Sequence, residues 1–449
     1  MLKQVPLLLL ALILMYPSFS QTKESQHQTK TKVNLNKPKR EAWFTDLGFG
    51  MFIHWSFDVQ LGMVISHSVV GASKDYQDRY FNELPKTFNP REFRPEEWAR
   101  TAKMAGMKYM VFTTKHHSGF CMYDTETTDF KITNTPFARD ATKEIVAAFR
   151  KEGIAVGVYF SPDDFWFMYD KGRMIERKNE EAIPSNNPDL MDYLKVQMRE
   201  LMTNYGPIDI VFIDGIDTKA NEALARICWE VNDDVVVTRG AIETPEQFIP
   251  DQAIPSPWEA CFTMGDQWQY RPTNENYKST RDLILKILEI RCKGGNLLLN
   301  VGPDTKGRIP EEQEAYLNEL ALWYFINKEA FDRVEPWHVI REGDVWFLKK
   351  RDADDLYAFI TGDPIPYGKT SALLLTSVQA TKDTKVSVLG HDNKTLEYKP
   401  EVDASSKFRQ TSDGLELTVF RGQRIYNDKK WPNPIVVKLE NIKRSNQNP

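Results

Sequence analysis

Pro207-Ile208-Asp209-Ile210-Val211-Phe212-Ile213-Asp214-Gly215 is the stretch from which the fold is read. Five of the six residues from Ile208 to Ile213 are apolar and β-branched or aromatic, with Gly206-Pro207 in front and Gly215 behind. Such a run predicts a strand buried on both faces. A carboxylate, Asp214, ends it. In parallel α/β folds the loops after the C-terminal strand ends converge on one mouth and carry the chemistry, while the opposite end closes the core. Asp214 is therefore the first candidate for a catalytic group. The other use of a carboxylate in this place is to cap the next helix or to start a turn with Gly215.

Working outward, strand and helix patterns alternate from about residue 43 to 335. Towards the N-terminus, Phe49 to Trp55 is a compact apolar strand, followed by a long irregular insertion and a helix from Pro95 to Met104 closed by Gly106. Lys108 to Thr114 is the next strand. Asp140 to Lys151 reads as a helix with Asp140 as N-cap and Gly153 past its end, leading into a strand from Ile154 to Ser161. Asp189 to Asn204 is the helix that Gly206 ends. Beyond the opening stretch, Asp234 to Thr238 and Asn296 to Val301 are strands, separated by a segment around Trp258 and a helix from Thr280 to Cys292. The alternation predicts a parallel sheet with helical crossovers, most simply a (β/α)8-like barrel with seven clear strands and an irregular eighth.

The pattern changes at Glu335-Pro336-Trp337. Short runs follow at Val345 to Leu348, Leu356 to Thr361, Ala372 to Leu375, Lys385 to Leu389, Leu415 to Phe420 and Ile435 to Leu439, parted by Gly, Asp, Asn and Lys. This spacing predicts an antiparallel β-sandwich over 337–449, expected to support the barrel of 41–336 rather than to bind sugar.

The chain starts with a short positive head, Met1 to Gln4, an apolar run from Val5 to Met15 and small residues at Ser18 and Ser20. This pattern predicts a cleaved export signal over 1–20, too short to span a bilayer, and a periplasmic or extracellular protein. Residues 21–40 are polar and Lys-rich and read as a flexible lead-in. No later segment has the apolar length of a membrane helix. A net charge of -5, without a basic block interleaved with aromatics, argues against nucleic acid. The 449 residues, 41% hydrophobic, suffice for one large core and a smaller second domain. Eleven Trp and seventeen Tyr supply flat faces that suit either sugars or core packing. The four Cys, at 121, 228, 261 and 292, lack paired metal spacing.

Read together, the strand ends carry His54, then His116 and His117, then Asp163 and Asp164, then Asp214, Arg239 and Glu259. In a barrel these converge on one mouth. Two chemistries fit: a metal hydrolase whose His ligands activate water, or a glycosidase with two carboxylates flanking the scissile bond. Adjacent His116-His117 on an extended segment would face opposite sides, so one ion could hold both only if the backbone turned there.

The run Cys292-Lys293-Gly294-Gly295-Asn296-Leu297-Leu298-Leu299-Asn300-Val301-Gly302-Pro303, followed by Gly307-Arg308-Ile309-Pro310, resembles a signature of the α-L-fucosidases of glycoside hydrolase family 29. Lys115-His116-His117-Ser118-Gly119-Phe120, Gly48 to Trp55 and Phe212-Ile213-Asp214-Gly215 are similar to that family too, so the likeness covers about Trp43 to Trp337. It implies a (β/α) barrel with a C-terminal β-sandwich, a retaining double displacement on fucosylated oligosaccharides, and neither metal nor cofactor. It makes Asp214 the nucleophile and Glu259, after Trp258, the acid/base, with Glu243, Glu246 and the Asp163-Asp164 pair as rivals. His54, His116, His117, Tyr159, Arg239 and Trp258 fall where the family holds its sugar. One departure stands out. The Glu-Trp pair that many members carry after the first strand is replaced by Met63-Val64-Ile65-Ser66-His67-Ser68-Val69-Val70-Gly71, in which His67 is the only long polar side chain. The expectation is that His67 takes over part of the ring contact, the alternative being an exposed loop histidine. A related sugar such as a galactoside, or a non-catalytic sugar-binding barrel, are the other functions this departure allows.

Overall fold

Seven parallel strands line the first unit of the computed structural model, which describes residues 33–426 and 431–445. They are β1 (Phe49–Ile53), β2 (Tyr109–Lys115), β3 (Ala155–Phe160), β4 (Ile210–Ile213), β5 (Val236–Val237), β6 (Glu259–Thr263) and β7 (Asn296–Val301), in the order β5-β4-β3-β2-β1-β7-β6. Apart from Ala155 every residue in them is buried, as expected of strands covered on both faces. Between β5 and β6 the irregular eighth strand is the segment 239–247. It meets the continuation of β5, which follows β4 as far as the Ile213 N–H to Arg239 carbonyl bond (3.4 Å), at the Arg239–Ile242 bridge, and it meets β6 through Glu259 N to Glu243 O (2.9 Å) and Cys261 N to Pro245 O (3.0 Å). Its irregularity has a local cause: Gly240 and Gln247 have positive φ, and Pro245 has no N–H to give to a ladder.

Nine helices accompany these strands among the described residues: α1 (Pro38–Leu47), α2 (Lys74–Asn82), α3 (Pro95–Met104), α4 (Ala141–Lys151), α5 (Phe165–Asp170), α6 (Pro188–Asn204), α7 (Thr218–Val231), α8 (Thr280–Cys292) and α9 (Glu311–Asn327). Asp140 caps α4 by accepting from Lys143 N (2.8 Å), as its position predicts. After β4 it is Asp217 that caps α7, accepting from Lys219 N (3.0 Å). The capping alternative for Asp214 is thus taken by another residue.

The lead-in ends earlier than residue 40. Asn36 is buried and bonds the Val237 carbonyl and N–H (both 2.9 Å) and the Trp229 indole (3.0 Å), and α1 starts two residues later. That helix escapes a periodicity reading because Phe44 is its only buried residue. The predicted signal over 1–20 lies outside the described residues. No helix among the described residues is long and apolar enough to cross a membrane.

The second unit consists of β8 (Val334–Glu342), β9 (Val345–Lys350), β10 (Leu356–Ile360), β11 (Thr370–Leu375), β12 (Val378–Val388), β13 (Lys407–Gln410), β14 (Leu415–Phe420) and β15 (Ile435–Arg444). A five-stranded sheet, β12-β15-β10-β9-β8, faces a three-stranded one, β11-β14-β13, as a sandwich. Alternation decides its two faces. Phe347, Ala358 and Val437 point to the three-stranded sheet, while Trp346, Leu348, Tyr357 and Phe359 pack on Ile284 and Leu288 of α8 and Trp323 of α9. The sandwich therefore props the helices behind β7. The strands β8 and β13 have no counterpart in the sequence reading: Glu335-Pro336-Trp337 lies inside β8, and β13 is exposed at all four positions.

Candidate active site

At the C-terminal ends of the strands a cavity opens, and Asp214 lies at its centre, one residue past β4. Its Oδ1 accepts from Arg239 Nη1 at 2.9 Å and its Oδ2 from the Tyr159 hydroxyl at 2.7 Å. Burial alone would raise this carboxyl. The Arg239 guanidinium and the Tyr159 hydroxyl outweigh that and hold it at about 2. With 25% of the side chain still exposed, Asp214 is an ionised carboxylate open to the cavity.

Arg239 does not serve Asp214 alone. Its Nη2 reaches Glu246 Oε2 at 2.8 Å, and its guanidinium lies over the Phe212 ring at 4.6 Å. Glu246 comes from the irregular eighth strand and lines the same cavity. One guanidinium thus brings two carboxylates together at the mouth.

Glu259 is not one of them. It is the first residue of β6 and fully buried, and the Tyr109 hydroxyl donates to its Oε2 at 2.5 Å. At about 3.3 Å per residue, the four steps to Thr263 put it some 13 Å below the C-terminal end of its strand. The acid/base reading of Glu259 is therefore corrected on position: it belongs to the closed end of the barrel. Trp258 is corrected likewise. Its buried ring covers Gly295, where a Cβ would come within 2.3 Å of it, and its indole N–H points to the Lys293 carbonyl (3.4 Å). The tryptophan in the cavity wall is Trp268, 4.8 Å from the His54 ring.

Among the remaining rivals, Asp164 is locked in a fully buried pair with Lys115 (2.9 Å) and caps α5 through Phe167 N (2.8 Å). Asp163 pairs with Arg177 behind His117. Burial raises Asp163 to about 6 against the pull of Arg177. Neither aspartate lines the cavity, and neither does Glu243.

All four histidines singled out from the sequence line it. His54 Nδ1 pairs with Asn300 Oδ1 (2.6 Å), His116 Nδ1 with Ser66 Oγ (2.8 Å) and His117 Nδ1 with Ser161 Oγ (2.6 Å). The backbone does turn between β2 and Gly119, whose φ is +82°, and brings the His116 and His117 rings to 4.2 Å. His116 also stacks on Tyr159, with the rings 4° from parallel. His67 stands 5.2 Å from the His117 ring. Burial lowers all four, His54 to about 4, so near neutrality each ring is an uncharged donor and acceptor suited to hydroxyl groups. Among the described residues, no three His, Cys, Asp or Glu side chains are grouped so that they could hold a metal ion.

Arg177 and Trp268, also in the wall, were not read from the sequence. Both sit deep in long loops, where neither strand ends nor periodicity point to a residue. Only their type, a cation and an aromatic, was available as a signal.

The place of Glu259 gives a stability prediction. Burial raises its carboxyl to about 7, against the Tyr109 hydrogen bond and the charge of Arg239. A group raised from 4.5 to about 7 on folding contributes stability that is complete below pH 4.5 and lost as pH rises through 7. Glu259→Gln keeps an acceptor for Tyr109 without the charge. The variant is expected to retain activity and to gain on wild type in thermal unfolding between pH 5 and pH 8, by at most about 3 kcal/mol. Melting curves at the two pH values check it, and a loss of activity on the scale of a missing acid would return Glu259 to the chemistry.

The family model described as alpha-L-fucosidase matches residues 15–329. The tissue alpha-L-fucosidase of Bos taurus is 30% identical over 398 residues, covering 80% of this chain and 81% of its own. Alpha-L-fucosidase isoenzyme 1 from Paenibacillus thiaminolyticus superposes with a TM-score of 0.73 at 29% identity, over 90% of this chain and 98% of that one. A GH29 alpha-L-fucosidase of Bacteroides thetaiotaomicron, solved as a trapped covalent intermediate with 2-fluoro-fucosyl fluoride, has the same fold at a TM-score of 0.70 and 21% identity, over 92% and 98% of the two chains. With the family model matched over more than half its length, and a relative of this identity over four fifths of it, the chain belongs to the α-L-fucosidase family of glycoside hydrolases.

Proposed function

We propose that this protein releases terminal α-L-fucose from fucosylated oligosaccharides with retention of configuration, with Asp214 as nucleophile and Glu246 as acid/base. The observation that carries this reading is the Asp214-Arg239-Glu246 bridge in a cavity lined by neutral histidines. Two carboxyl groups within the span of one guanidinium suit the separation of about 5 Å that a double displacement uses. In the first step an Asp214 oxygen attacks the anomeric carbon while Glu246 gives its proton to the departing glycosidic oxygen. In the second, the Glu246 carboxylate takes a proton from water, the water oxygen attacks the same carbon, and Asp214 leaves. Esterification of Asp214 removes one of the two negative charges on Arg239, which makes Glu246 its remaining carboxylate partner at the step where Glu246 acts as base. Neither step calls for a cofactor. The covalent intermediate trapped in the Bacteroides thetaiotaomicron relative supports this course.

His54, His116, His117, Tyr159 and Trp268 form the sugar wall, and His67 supplies the contact for which many relatives use a Glu-Trp pair. A site built to hydrogen-bond a hydroxyl rejects the epimer because its own buried groups are then left unpaired. His67→Ala is expected to lower kcat/KM for the natural sugar by about 100-fold, or ~3 kcal/mol, with the unfolding transition unchanged. Wild-type kcat/KM in that variant would return His67 to a loop role. Residues 1–20 support export to the periplasm or beyond, where fucosylated glycans are met. Hydrolysis of 4-nitrophenyl α-L-fucoside, with the first-formed anomer followed by proton NMR, tests the reading: the α-anomer is expected, whereas turnover of an α-galactoside alone or of neither sugar would overturn it.

A further inference from the structure

Asp58 is fully buried in the loop after β1, outside the cavity, yet it is bonded to two of the loops that wall it. Its Oδ2 accepts from the Ser66 N–H (2.7 Å) and the Tyr80 hydroxyl (2.9 Å), and its Oδ1 accepts from Gln269 Nε2 (3.1 Å). Ser66 has φ +64°, a left-handed conformation that a serine adopts at a cost and keeps only when its surroundings hold it. What holds it on the backbone side is Asp58. What it then does is place its hydroxyl on His116 Nδ1 and set His67, the next residue, beside His117.

Gln269 links Asp58 to the opposite wall. Its Oε1 accepts from Ser56 N (3.1 Å), so the amide cannot be turned over without putting two donors face to face. It follows Trp268, whose carbonyl accepts from Asn300 Nδ2 (2.6 Å), and Asn300 Oδ1 in turn meets His54 Nδ1. The close approach of this segment to β7 needs Gly302, where a Cβ would lie 2.6 Å from the Tyr270 nitrogen. One carboxylate therefore joins the Ser66-His67 loop, the Tyr80 helix α2 and the Trp268 loop.

We infer that Asp58 is the positioning residue of the sugar pocket: through Ser66 and Gln269 it holds the Ser66 hydroxyl against His116 and sets the places of His67 and Trp268, and so governs the binding of the fucosyl ring. A neutral imidazole has one donor and one acceptor nitrogen, so the direction of the Ser66 hydroxyl at Nδ1 decides which role Nε2 offers to a sugar oxygen. Because Asp58 touches neither Asp214 nor Glu246, its loss should weaken binding more than chemistry.

This inference rests on the proposed fucosidase activity, so the test pairs turnover with binding. The probe is L-fucose, titrated calorimetrically into the full chain beside kinetics on 4-nitrophenyl α-L-fucoside. In Asp58→Asn the amide cannot accept from Gln269 as well as from Ser66 and Tyr80, and Kd and KM are both expected to rise about tenfold with kcat within about threefold. His67→Ala added to Asp58→Asn should cost clearly less than it does alone, because residues acting through one contact are not additive. Tyr80→Phe removes one donor from the far side and is expected to shift Kd a few-fold in the same direction, and it decides the question if Asp58→Asn fails to fold. Wild-type Kd and KM in both folded variants, or a fall confined to kcat, or full additivity with His67→Ala would overturn the inference. Wild-type protein that binds L-fucose without turning over the aryl fucoside would instead count against the proposed activity alone.

Discussion

Replacing Asp214 by Asn or Ala is expected to leave a folded protein whose turnover is lower by on the order of 10⁴-fold or more, the scale seen when an essential catalytic group is removed. The fold should survive because the carboxylate sits past the end of β4, not in the core, and Arg239 keeps Glu246 as a partner when Asp214 is gone. Held at about 2 by Arg239 and Tyr159, Asp214 is ionised well below neutrality, so an acidic limb of kcat/KM near pH 5 is expected from another group. Azide supplied to Asp214→Ala can take the vacated position and attack the anomeric carbon of an activated fucoside directly. The product expected is the β-fucosyl azide, with configuration inverted. Hydrolysis by Asp214→Asn at the wild-type rate would remove the assignment.

The second large effect concerns Glu246, and it depends on the leaving group. Glu246→Ala should slow release from an oligosaccharide by about 10³-fold, since a sugar alkoxide departs slowly without a proton. With 2,4-dinitrophenyl α-L-fucoside the first step needs little protonation, so the second becomes limiting and added azide should accelerate it. The product this time is the α-fucosyl azide, retained, because it arises from the Asp214 ester. The two azide products thus separate the two roles. Equal losses on both substrates, without azide acceleration, would remove Glu246 from the acid/base position, and the same measurements on Glu259→Gln should give wild-type behaviour.

The contrast between these carboxylates shows what a sequence can carry. Asp214 was legible because an apolar run, flanked by glycines, says where a strand ends, and a strand end in a parallel barrel is a place with a function. Glu259 was misplaced because its segment is apolar on both sides of it: Trp258 and Ala260 are equally at home in a strand, and nothing marks which end of the barrel the glutamate occupies. Glu246 lies on a strand broken by Gly240, Pro245 and Gln247, which periodicity cannot register, so it could be named only as a rival. The role proposed for it rests on a contact of the folded chain, the Arg239 it shares with Asp214. His116 and His117 were visible as a pair. Their convergence depended on a turn whose sign, the positive φ of Gly119, becomes visible only in the folded chain.

The sandwich was legible for the opposite reason. Short apolar runs at close spacing, parted by turn residues, mark the strands, whereas β9 and β10, buried at nearly every position on both faces, carry no alternation that says which face points to the other sheet. What the pattern omitted was β8, mostly exposed or half-buried around Glu335-Pro336-Trp337, and β13, a strand exposed along its whole length and so without an apolar signature.

Trapping the intermediate tests the account most directly. Incubation with 2-deoxy-2-fluoro-α-L-fucosyl fluoride should load one fluorofucosyl group per chain, because the electron-withdrawing fluorine slows both steps while the fluoride leaving group keeps the first one fast. Proteolysis and mass spectrometry are expected to find the label on the peptide that contains Asp214. A label on any other carboxylate, or prompt turnover of aryl fucosides with no adduct and with release of the inverted sugar, would contradict a double displacement at Asp214.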